Sequence, residues 1–293
     1  RFQVDESYTD NRLAGGLLQQ QFGWRDRLFV TAGIRGDDNS AFGANFETAY
    51  FPTAQLSWVV SEESFFPQPR FLNSLQLRAA YGQSGLRPGN RDARVFFNAA
   101  PVRLEGQEAA GVTLGGIGDP NLKPERTTEL EGGFVLTGLD SRVTLDATYY
   151  TKESRDALIS RRTAPSAGVV TSVFANLGSV RNSGYELLLQ TRPVDRPNFA
   201  WNLNLNFSSN DDELLDLGTD VSGQPIPPII IGLSSSQRFV EGYPLAGYWG
   251  TPIRSFSDTN NDGIVDDIVY GDSAEFIGRS QPARLFSIGT DVS

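Results

Sequence analysis

Cysteine, histidine and methionine are all missing from this 293-residue chain. Without cysteine there is no disulfide framework, thiolate nucleophile or thiolate metal site. Without histidine the commonest general base and the commonest metal ligand are gone. Most enzyme templates are therefore excluded before any motif is read. Basic clusters are missing too, since 25 Lys and Arg stand against 35 Asp and Glu and no basic run stands out. Phosphate backbones are bound by clustered Lys and Arg, so no nucleic-acid partner is expected. No run of about 18 apolar residues occurs, which excludes a transmembrane helix. It does not exclude transmembrane strands, which need only about 10 residues with every second one apolar. Position 1 is Arg, and residues 1–20 carry no basic-then-apolar signal segment. An internal piece or a mature region is the expectation.

What is present is alternation. Residues 27–35 place Leu28, Val30, Ala32 and Ile34 on one face and Phe29, Thr31, Gly33 and Arg35 on the other. That is the period of a strand with one apolar face. The same pattern predicts strands over 50–60, 74–82, 126–136, 142–150, 184–192, 199–208 and 284–292, with a weaker one over 11–22. In the return strand 199–208, Trp201, Leu203, Leu205 and Phe207 oppose Asn202, Asn204, Asn206 and Ser208. About nine strands result. Residues 119–133, DPNLKPERTTELEGG, show how such a strand begins. Asp119, Pro120 and Asn121 are turn formers. Pro124 holds Lys123 extended. Leu130, Phe134 and Leu136 then share one face, with Glu129 and Glu131 on the other.

The connections are asymmetric. Short ones at 24–26, 137–141 and 193–198, and an intermediate one at 61–73, alternate with long ones at 37–49, 83–125, 153–181 and 210–282. Short turns at one end and long loops at the other are the pattern of outer-membrane barrels. The less apolar face carries Asn, Gln, Ser, Thr and Gly, where a soluble sheet would show Lys and Glu. Trp24, Tyr50, Trp58, Tyr81, Tyr149, Tyr185 and Trp201 fall near strand ends, as interfacial aromatics do. The competing reading is a soluble, secreted β-rich carbohydrate-binding or adhesive module, since half-buried sheets also alternate.

Several motifs resemble one family. DPNLKPERTTELEGG looks like the stretch by which TonB-dependent outer-membrane transporters lead an outer loop into a strand. GIRGDDNSAFG (33–43), YFPTAQLSWVVSEESFF (50–66), LQLRAAYGQSG (75–85), NSGYELLLQ (182–190), EGYPLAGYWG (241–250) and DTNNDGIVD (258–266) resemble its SusC/RagA branch, in family order. The resemblance implies an all-β, antiparallel transmembrane barrel of about 22 strands around an N-terminal plug. It implies TonB-dependent import of a large nutrient, a glycan or a peptide, across the outer membrane of a Gram-negative-type bacterium. Outer-membrane lipid, the TonB energy-coupling system and a SusD-type surface lipoprotein are the implied partners, and no cofactor is required. The expectation for residues 1–293 is a fragment of that barrel domain, without plug or TonB box. A siderophore-type receptor of the same superfamily is a further alternative.

Two candidate sites stand out. Asp258, Asn260, Asp262 and Asp266 occupy loop positions 1, 3, 5 and 9, the Ile264 carbonyl position 7, and Gly263 position 6, a spacing that wraps oxygens around Ca²⁺. Val269 stands where a bidentate Glu would complete the set, with Asp267 and Asp272 as the alternative donors. The alternative is a solvated acidic turn. Loop aromatics Phe96, Phe97, Phe239, Tyr243, Tyr248 and Trp249 stack on sugar rings, pack against a lid or form small loop cores, the last being favoured. No catalytic constellation is found, and Glu129 and Glu131 are spaced as a lumen lining.

Overall fold

The computed structural model describes residues 10–42, 48–162, 172–176, 178–219, 223–231 and 236–293. Residues 1–9 and parts of the expected long loops (43–47, 163–171, 177, 220–222 and 232–235) lie outside the described residues.

Nine strands form one antiparallel meander in which each pairs with the next in the chain. They are β1 (Leu13–Trp24), β2 (Leu28–Asn39), β3 (Ala49–Val59), β4 (Leu72–Leu86) and β5 (Glu125–Gly138). β6 (Val143–Arg155), β7 (Ser179–Arg196), β8 (Phe199–Asp216) and β9 (Arg284–Val292) follow. All nine expected strands are there, but most run further toward the long-loop end than their alternation predicts. Beyond the bilayer the solvent is water on both faces, so the pairing continues while the apolar period stops.

Register carries the two-faced pattern across the whole wall. Trp58, Leu77, Phe134, Ala147, Leu187, Phe207 and Phe286 form one row across β3–β9. The next row, on the opposite face, is Ser57, Arg78, Gly133, Thr148, Glu186, Ser208 and Leu285. A one-residue slip in any pair would exchange the faces, so the pattern pins the register. Gly184, within the NSGYELLLQ stretch, allows β7 and β8 to approach closely: a Cβ there would lie 1.9 Å from the Ser209 carbonyl oxygen.

Among the described residues nothing covers the apolar face. Leu77 is 38% exposed, Leu187 39% and Leu130 54%. The buried hydrophobics are Ala41, Ala49, Phe51, Leu122, Ala175, Val180, Leu214 and Leu217 at the long-loop end, and Val60 beside the 60–62 turn. A soluble sandwich buries the middle of its strands between two sheets. This wall leaves that face open, so the soluble module is overturned as a fold. Trp58 and Tyr50 lie near opposite ends of β3 on the apolar face. At roughly 3.3 Å per residue and a ~40° tilt they stand about 20 Å apart along the membrane normal, close to the ~25 Å apolar band of such barrels.

One short connection differs from expectation. Residues 193–198 are not all turn, because β7 continues to Arg196 and leaves a two-residue link. Pro193 lies in a register irregularity between Thr191 and Val194. A bulge frees that position from donating to the ladder, which a proline cannot do.

Candidate functional site: the polar wall and the outer loops

The polar face of the wall holds one prominent ion pair. Arg78 on β4 reaches across β5 to Asp146 on β6, with Nη1 3.1 Å from Oδ2 and Nη2 bonded to Oδ1 and to the Thr148 hydroxyl. Gly133 lies between Arg78 and Thr148 in the row, and its lack of a side chain leaves the path open. An open recess of about 630 Å³ lies beside this pair, with Glu186, Asn206 and Ser208 among its lining residues. Glu129 and Glu131 line a smaller recess of about 330 Å³ with Thr53 and Gln83. Neither glutamate nor Glu186 has an ion-pair partner among the described residues. The expected placement of Glu129 and Glu131 opposite Leu130 and Phe134 holds.

The DPNLKPE turn is an anchor between loops. Asn121 N–H donates to Asp119 Oδ1 at 2.9 Å, and Leu122 N–H to the Asp119 carbonyl at 3.1 Å. Leu122 and Pro124 are fully buried. Asn176, from the 158–176 hairpin, grips the turn from the side. Its Oδ1 accepts Lys123 N–H at 2.7 Å, while Nδ2 donates to the carbonyls of Lys123 and Asp156, both at 2.8 Å. The side-chain amide thus copies one rung of a β-ladder.

The long connections carry structure of their own that their weak alternation did not signal. Phe96–Leu104 pairs with Gln107–Gly116, Leu158–Arg162 with Ser172–Asn176, and Ile253–Ser257 with Asp267–Tyr270. A four-stranded sheet joins Ile229–Ile230, Gln237–Phe239, Gly247–Gly250 and Glu275–Gly278. Val180, Leu214 and Leu217 form a small core there with Ile226, Ile229, Phe239 and Leu245.

The loop aromatics divide accordingly. Tyr243 and Trp249 meet edge to face at 4.9 Å, and both pack on Phe276, which the sequence reading missed. Phe239 joins the small core. For these residues loop packing is what the contacts show. Phe96 and Phe97 sit apart on the 96–116 hairpin, where Arg91 covers the Phe96 ring and Phe97 is 62% exposed. Tyr248 is partly exposed. The EGYPLAGYWG segment is tied to the wall by polar groups. Glu241 Oε1 accepts Leu217 N–H at 2.8 Å, Asp212 Oδ2 accepts Leu245 N–H at 2.6 Å, and Arg279 bridges Asp211 and Asp212.

Asp258, Asn260, Asp262, Ile264 and Asp266 lie along the 258–266 turn, with Asn261 and Gly263 at positive φ. Its oxygens accept the loop's own donors. Asp258 Oδ1 and Oδ2 take the amides of Asp262 and Gly263 at 3.2 and 2.9 Å, and Asp262 Oδ1 takes that of Ile264 at 2.8 Å. Asp266 is held below the usual carboxylate range, first by the Thr259 hydroxyl and then by the Thr259 amide. Among the described residues no group of three or more acidic side chains is set to hold a metal.

A two-faced meander with an uncovered apolar face, a polar concave wall and loops built up at one end is a transmembrane β-barrel wall. Residues 3–279 match the family model described as TonB dependent receptor-like, beta-barrel. The chain belongs to that family of outer-membrane receptors. It is 27% identical to TonB-dependent receptor P26 of Formosa agariphila over 99% of this chain and 31% of that protein. It is 26% identical to TonB-dependent receptor SusC of Bacteroides thetaiotaomicron over 88% of this chain and 28% of that protein. Among solved structures, the RagAB peptide transporter superposes with a TM-score of 0.82 at 19% identity, over 97% of this chain and 31% of that one. The chain thus spans less than a third of the length of these relatives.

Proposed function

We propose that the receptor carrying this chain imports a large nutrient, a glycan or a peptide, across the outer membrane. This chain supplies part of the barrel wall and the outer loops above it. The observation that carries the reading is the pairing of a polar concave wall with an elaborated loop end, on a chain similar to SusC and to the RagAB peptide transporter. Energy would come from the inner membrane through the TonB system, and a SusD-type surface lipoprotein would present the cargo. Uptake by intact cells tests it, with labelled oligosaccharides and oligopeptides offered to strains with and without the receptor gene. Uptake of one class should vanish on deletion and on collapse of the proton gradient. Equal uptake of both by the deletion strain would overturn the reading.

We also propose, on spacing alone, that the 258–266 turn takes Ca²⁺. Binding would exchange the amide bonds of Asp258 and Asp262 for the metal. Calorimetric titration of the intact receptor should show heat that Asp258→Asn abolishes. No heat at millimolar Ca²⁺ would sink the site.

A further inference from the structure

The short-turn end of the wall carries a regularity that import does not use. The four links at that end are laced into one rim by backbone bonds: Val59 N–H to the Arg27 carbonyl, Leu139 to Phe71, and Arg192 to Arg142. Each link contributes one exposed arginine with no ion-pair partner among the described residues: Arg25, Arg70, Arg142 and Arg196. Each also contributes a large exposed apolar side chain close by in sequence: Trp24 (51%), Phe71 (64%), Leu139 (55%) and Phe199 (45%). The Arg25 guanidinium lies 5.4 Å from the centroid of the Trp24 ring, which brings it to the apolar face of the wall. These arginines stand at or beside strand ends, with Arg25 directly after β1 and Arg142 directly before β6.

Acidic side chains stand at the same four links, Asp26 directly after Arg25 and Asp140 two residues before Arg142. Glu63 is engaged by Arg27 and by the Trp58 indole, and Asp195 by Arg192. Asp26 and Asp140 occupy the middles of their turns at positive φ, and Glu62 ends the 60–62 helical turn. The rest of the molecule is acidic, with a formal net charge of −10 for the whole chain. An exposed apolar side chain and an arginine without an ion-pair partner, close in sequence at every short link, match a surface that is hydrocarbon on one side and phosphate on the other.

We propose that this rim is a phospholipid-binding collar, in which Arg25, Arg70, Arg142 and Arg196 hold the phosphates of the inner leaflet of the outer membrane. Trp24, Phe71, Leu139 and Phe199 seat the adjoining glycerol and upper acyl region. Guanidinium forks suit phosphate because they bond two of its oxygens at once. The collar fixes the depth of the barrel at the leaflet whose lipids carry a single phosphate, and it is independent of the cargo.

Native mass spectrometry of the intact receptor in mild detergent tests the proposal, with phosphatidylglycerol or headgroup-free diacylglycerol added at equal concentration. The wild type should retain phosphatidylglycerol in preference to diacylglycerol. Replacing arginine with glutamine should lower retention about fivefold per residue, the effect of roughly one charge at an anionic surface. R25K and R142K should keep most of it. Should R25Q/R70Q/R142Q/R196Q fail to give the heat-modifiable band of a folded barrel, R25Q and R142Q singly give the same readout. Equal retention of both lipids by the wild type would overturn the collar, as would undiminished phosphatidylglycerol on the folded glutamine variants. Retention of lipopolysaccharide in place of phospholipid at these arginines would overturn the assignment to the inner leaflet.

Discussion

Phe134 and Val135 are neighbours on β5 that point to opposite faces, and exchanging each for arginine separates lipid from lumen. Phe134 sits in the apolar row between Leu77 and Ala147, whereas Val135 is registered with Gln76 and Asp146 on the polar wall. Phe134 lies four residues from Gly138, the last residue of β5 at the short-turn end. At about 3.4 Å per residue and a ~40° tilt that is about 10 Å along the normal, close to the middle of a ~25 Å band. A guanidinium there should cost about 2–4 kcal/mol, or roughly a 30- to 1,000-fold fall in the folded-to-unfolded ratio. At Val135 the side chain would enter water beside a carboxylate, and the cost should stay below about 1 kcal/mol. Refolding of the intact receptor into lipid vesicles from denaturant, followed by tryptophan fluorescence, measures both. Equal penalties, or a larger one at Val135, would refute the assignment of the faces.

Other consequences follow from the same geometry. Arg78→Leu and Asp146→Leu should each destabilise the barrel by about 1–3 kcal/mol, and the double variant by less than their sum, because each single change strands a partly buried charge; strict additivity in the same refolding assay would remove the pair from the account. Asn176→Ala gives up three bonds, worth roughly 1 kcal/mol each. Hydrogen exchange at the Lys123 amide should quicken accordingly while the β4–β5 ladder keeps its protection. The depressed carboxyl of Asp266 has a sign that can be checked by pH. A group held below its unfolded value of about 3.9 adds stability above that pH and loses it as pH falls through the lower folded value. Amides of the 258–266 turn should stay protected at neutral pH and fray only in acid, and protection that rises on acidification would contradict the Thr259 contacts.

Much of the architecture was legible because alternation is a local property. Whether Leu28 and Phe29 face opposite ways depends only on the pleat between them, so the apolar and polar faces could be read strand by strand. The order of the strands followed from the alternation of short and long links, since a meander needs no crossovers. Strand ends were less legible. The ladders of β7 and β8 continue into the loop end, where both faces are wet and period two carries no signal, and Pro193 was absorbed by a bulge that a proline alone does not announce. The loop sheets escaped for a related reason. Segments such as 237–239 and 247–250 are too short to show a period and are strands only because their partners are present.

Local pattern was enough to set the class: two-faced strands of membrane-spanning length, asymmetric loops and an ordered set of receptor motifs. The tertiary structure decided which residues act together. Arg78 meets Asp146, Asn176 grips Lys123, and Phe276 closes on Tyr243 and Trp249 across distances in sequence that no local pattern encodes. The four arginines of the short-turn rim are scattered from residue 25 to residue 196, and only the meander brings them to one level. Periodicity is set by adjacent peptide units, whereas convergence is set by register and closure, which belong to the folded sheet.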